Sequence, residues 1–103
     1  MTIKIDNFKD HSTIKIEHDL TIYEVDEYRQ QLLEKCDLTH SATVQLSDQT
    51  ELDTAGIQLL ISLQKQLQGA GGDLTVHTTA AQAIHLFEVF NLSSQFKLNE
   101  RDF

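Results

Sequence analysis

The sequence predicts an α/β domain, with a mixed, mostly parallel β-sheet and its helices mainly on one face. Three observations predict it. Segments of period-two alternation are interleaved with segments of helical period, in the order β-β-α-β-α-β-α-β. That interleaving builds parallel sheets through crossover connections. The strands also alternate polar with apolar residues instead of running continuously apolar, so only one sheet face is fully covered.

Thr2-Ile3-Lys4-Ile5-Asp6 and Thr13-Ile14-Lys15-Ile16-Glu17 both alternate and carry β-branched residues, as half-buried strands do. The polar Lys9-Asp10-His11-Ser12 between them turns the chain into a hairpin. The period then changes. Val25, Tyr28, Leu32, Leu33 and Cys36 share one helical stripe, which predicts a helix over about residues 22–36. Thr21 and Glu24 have capping-box spacing at its start. Thr43-Val44-Gln45-Leu46-Ser47 reads as the next strand. A second helix follows, with Ile57, Leu60, Ile61, Leu63 and Leu67 inward. Gln58, Gln64, Lys65, Gln66 and Gln68 face mostly outward, and Gly69 stops it. Leu74-Thr75-Val76-His77 is a strand. A third helix is capped by Thr79 with Gln82, buries Ala83, Ile84, Phe87 and Phe90, and ends with Asn91 in the left-handed conformation. Lys97-Leu98-Asn99 predicts a last short strand.

The 103 residues include 16 Asp+Glu against 8 Lys+Arg, a formal charge of −8. Such a surface repels nucleic-acid phosphates and anionic membranes. No apolar run approaches the ~20 residues of a membrane span, and the alternating start is expected to be a strand and not a targeting peptide. With no proline, low-complexity tract or repeat, one domain is expected over residues 1–103. A single cysteine, Cys36, excludes an internal disulfide and fits a reducing cytoplasm.

The residues that could carry chemistry are few. His11, His18, His40, His77 and His85 lack the close spacing of a metal site, and Cys36 falls on a buried stripe. No Gly-x-Ser-x-Gly elbow or Walker loop occurs. Gly69-Ala70-Gly71-Gly72 leads into a strand, so it offers no helix N–H groups to a phosphate. Asp48 follows a strand, where a phospho-aspartate receiver carries its acceptor. The acidic cluster that would hold Mg²⁺ and a lysine after the later strands have no clear counterpart. No catalytic residue, metal or cofactor is therefore expected. There remains Leu52-Asp53-Thr54-Ala55-Gly56-Ile57, which joins a strand to the second helix. Asp53 or Thr54 can cap that helix. Small Ala55 and Gly56 leave its start approachable, and a hydroxyl at a helix N-terminus is a favourable place for a phosphate.

This segment resembles the Asp-Ser-Ser-Gly-Leu signature of the STAS domain family, the anti-sigma factor antagonists and their relatives. The resemblance extends over about residues 14–96. It includes Gly69–Leu74, similar to the family's Gly-Gly-x-Leu turn, and Asn91-Leu92, similar to its Gly-Leu. It implies a STAS-like fold and a non-enzymatic, cytoplasmic bacterial module for signal transduction and transcription regulation by partner switching. A partner that is both anti-sigma factor and serine/threonine kinase would phosphorylate Thr54 and so release itself. The implied contact residues are Asp48, Asp53, Thr54, Gly56, Ile57 and Thr21. The Asp-Thr-Ala-Gly form also resembles a STAS subunit that docks on the ATPase of a phospholipid-transport ABC complex. Similar stand-alone domains accompany chemotaxis systems.

Overall fold

A computed structural model describes residues 3–92. Within them the order is β1 (Lys4–Asn7), β2 (His11–Ile16), α1 (Val25–Lys35), β3 (Ser41–Leu46), α2 (Thr54–Gly69), β4 (Leu74–Thr78) and α3 (Ala81–Val89). The expected strand at 97–99 lies outside the described residues. The sheet runs β1-β2-β3-β4. β1 and β2 form the antiparallel hairpin, with Ile5 opposite Ile14. β2, β3 and β4 are parallel, with Ile14, Val44 and Val76 in one row.

Alternation sorts the two faces. Ile14, Ile16, Ala42, Val44, Leu46, Leu74 and Val76 are buried in one cluster with Tyr28, Leu32, Ile57, Leu60, Leu67 and Phe87 from the helices. The other face is polar, with Thr13, Thr43 and Thr75 in one cross-strand row and Lys15, Gln45 and His77 in the next. Burial lowers the tendency of His77 to take up a proton.

Several side chains depart from expectation. Leu33 is 65% exposed, because it sits one residue, about 100°, beyond the row of Val25, Tyr28 and Leu32 that faces the sheet. It lines a groove between α1 and α2 with Arg29, Leu59 and Leu63. Gln64 is buried, since its spacing aligns it with Ile57, Leu60 and Leu67. Phe90 is exposed, because α3 ends at Val89 before the stripe comes round again. Gly69 remains helical and Gly71 turns the chain, at φ +88°. The Gly72 N–H then donates to Leu67 O at 2.8 Å, which satisfies an end carbonyl. Asn91 does adopt the left-handed conformation, at φ 59°.

Candidate functional site

Parallel strands deliver the starts of their following helices to one end of the sheet, and the loop segments 17–24 and 48–56 meet there. Leu20 and Leu52 form a parallel bridge. The Leu20 N–H donates to Glu51 O at 2.8 Å, and the Glu51 N–H donates to Asp19 Oδ1 at 3.0 Å. The buried Thr50 hydroxyl donates to His18 O. The two loops thus lie side by side as a short extension of the sheet.

Asp53 joins the two helix starts. Its Oδ1 accepts from the Gly56 N–H at 3.0 Å and caps α2. Its Oδ2 accepts from the Ile22 N–H at 3.0 Å, at the beginning of the α1 turn. One carboxylate serves two N-termini, where free donors and the dipole favour negative charge. The approach is close because residue 56 is glycine: a Cβ there would stand 2.1 Å from Leu20 O.

Thr21 behaves as half a capping box. Glu24 Oε1 accepts from the Thr21 N–H at 2.9 Å and from its hydroxyl at 2.6 Å. The hydroxyl accepts from the Tyr23 N–H and not from the Glu24 N–H, which donates to Thr21 O. Residues 21–24 therefore make a tighter turn, and regular helix begins at Val25. The expected box at Thr79 and Gln82 does not form; no side chain caps α3. The Gln82 amide instead grips Leu52, accepting from its N–H at 2.9 Å and donating to its carbonyl at 3.0 Å. This clasp fixes the residue just before Asp53.

Thr54 is exposed at the first position of α2, and Asp48 is exposed on the preceding loop. Asp53 and Thr21 are partly exposed. Gly56 and Ile57 are a correction to the sequence reading, because both lie inside. Ile57 is 1% exposed within the core, and Gly56 faces Leu20. They shape the helix start without offering side chains to a partner. Two residues that sequence reasoning passed over stand at this end, Ile22 at 62% and Tyr23 at 90% exposure. The signal was an apolar pair inside a capping segment, outside the helical stripe. Burial raises the Tyr28 pKa, and Glu24, Glu27 and Asp19 raise it further, which reports a negative field around the α1 start. No group of three or more His, Cys, Asp or Glu side chains among the described residues could hold a metal ion. No helix of the described residues is long and apolar enough to cross a membrane.

Among solved structures, one assigned as an anti-sigma factor antagonist of Thermotoga maritima superposes with a TM-score of 0.77 at 13% identity, over 93% of this chain and 84% of that one. SpoIIAA, an anti-sigma factor antagonist in its unphosphorylated form, gives 0.56 at 12% identity, over 88% of this chain and 83% of that one. A search of curated proteins matched nothing. The structural likenesses establish a shared fold. The family model described as "Mlab, STAS domain" matches residues 3–99. Nearly the whole sequence satisfies that model, and so the chain belongs to the STAS domain family.

Proposed function

We propose that this STAS domain is a non-enzymatic regulatory module that binds a protein partner through the face around Thr54, and that phosphorylation of Thr54 releases the partner. One observation carries the proposal. Thr54 is exposed at the tip of α2 while both oxygens of the adjacent Asp53 are committed to backbone donors. A kinase can reach the hydroxyl without dismantling the helix start. A phosphate adds about −1.5 to −2 charge beside Asp53 on a chain already at −8. The helix N-terminus tolerates that charge within the monomer, whereas a close interface does not. The fold neighbours are described as anti-sigma factor antagonists, one of them in an unphosphorylated form, which supports a partner of the anti-sigma factor type. Thr54→Glu should weaken partner binding at least about tenfold, ~1.4 kcal/mol, with thermal stability unchanged. Equal binding of wild type and Thr54→Glu in calorimetry refutes the proposal.

The Asp53-Thr54-Ala55-Gly56 form, which resembles that of a STAS subunit of a phospholipid-transport ABC complex, favours a second reading in which the domain docks constitutively on an ATPase. Thr54 is then a direct contact and is never modified. Intact-mass analysis of the chain from its own cells separates the two: a phosphorylated species supports the switch, and its absence with an ATPase bound supports the subunit.

A further inference from the structure

Exposed apolar side chains scattered singly are ordinary on a protein surface, and Phe8 is of that kind; Leu33 lines the groove between α1 and α2, and Val89 and Phe90 are exposed together at the end of α3. Ile22 and Tyr23 differ from these in combining three features. They are adjacent, so they make one ridge. They stand on a braced turn: the Ile22 N–H is held by Asp53, the Tyr23 N–H by the Thr21 hydroxyl, and Thr21 itself by Glu24. A tyrosine displayed on a fixed backbone loses little conformational entropy when it binds. And the ridge adjoins the α2 start through the same carboxylate that caps it.

Charge decides what the ridge can meet. Segments 17–27 and 48–53 hold five and three acidic residues, half of the chain's 16, and no lysine or arginine. A second copy offering the same face would bring like charge against like charge, and an anionic bilayer is repelled for the same reason. A protein surface with an apolar recess and a basic rim is attracted on both counts, and such charge arrangement also speeds encounter.

We infer that Ile22 and Tyr23 are the apolar anchors of this face, seated in an apolar recess of the partner protein whose lysines and arginines face the acidic segment 17–27 and leave Thr54 against an uncharged surface. The inference rests on the reading of Thr54 as part of a partner face and names what that face grips. Asp53 acts as a positioning residue that keeps the anchors in line with Thr54.

The test places the photo-crosslinker benzoylphenylalanine at position 23 of the full chain in its own cells, and separately at position 33 as control. The expected result is an adduct at 23 and not at 33, through a partner peptide with lysine or arginine beside apolar residues. No adduct at 23, an adduct between two copies of this chain, or a partner peptide without basic residues overturns the inference. The crosslinked partner is then purified and titrated with wild type, Tyr23→Ala and Thr54→Glu. Tyr23→Ala should bind about 30-fold more weakly with an unchanged melting temperature, and wild-type affinity should fall as salt rises. If Tyr23→Ala binds within about twofold of wild type while Thr54→Glu fails to bind, the anchor is refuted and the Thr54 reading stands. If Tyr23→Ala weakens binding and Thr54→Glu does not, the anchor stands and the switch is refuted.

Discussion

The two ends of the parallel sheet are both laced with polar contacts, but one turns them outward and the other inward. At the end where the strands lead into helices, Asp53, Glu24 and Gln82 satisfy backbone donors and leave Thr54 and Tyr23 in solvent. At the opposite end, Ser12 is completely buried, with Oγ 2.8 Å from both Asn7 Oδ1 and His40 Nε2. His40 Nδ1 in turn lies 3.7 Å from Asp37 Oδ2. Asn7 also accepts from the Asp37 N–H and donates to Lys35 O, closing α1 against the hairpin. Serine, histidine and aspartate meet here in the order an acyl-transfer triad uses, yet no substrate can reach a hydroxyl with 0% exposure. Access separates a brace from a site, and residue identity alone does not.

The sharpest way to break this contrast is Gly56→Ala. Its Cβ would collide with a backbone carbonyl, Leu20 O, so a loop has to move. We expect a loss of about 3 kcal/mol, read by urea unfolding, together with weakened partner binding. Ser12→Ala comes next. It removes the buried hydroxyl shared by Asn7 and the partly buried His40 and should cost about 1 kcal/mol, with partner affinity unchanged. Equal damage to binding from both variants would mean that the two ends are not independent. The smallest effect is one of pH. The Thr39 hydroxyl and N–H hold the Asp37 carboxyl below its ordinary value, with a smaller contribution from His40. The unfolded chain then takes up this proton first as pH falls. The stabilisation is full above the ordinary carboxylate range and is lost as pH drops through the lower folded value. Thr39→Val should make the acid side of the stability curve shallower, measured by thermal melts from pH 6 downward, in roughly the range where carboxylates titrate.

Periodicity carried the fold. The strands alternate so regularly that the inward faces of Ile14, Val44 and Val76 follow from the pattern, and Asn91 marked its own turn. Local spacing misled where a long-range partner intervened, and residue type misled where helical position decided. Gln82 has the spacing of a cap but finds Leu52, 30 positions away. Gln64 is polar by type but its place on the helix sends it inward. Asp53 was visible as a cap for α2, because that bond is local. Its second bond, to Ile22, joins segments 31 residues apart, and no local pattern announces it. The exposed pair at 22 and 23 stayed hidden for the same reason, since only the assembled end shows what lies beside Thr54.

The Gln82 clasp has a mechanical consequence. A side-chain amide that takes both the N–H and the C=O of Leu52 mimics a neighbouring strand, and it couples α3 to the residue two before Thr54. With the Asp53 carboxylate on the starts of α1 and α2 and the Gln82 amide on Leu52, one chain of hydrogen bonds ties the beginnings of all three helices together.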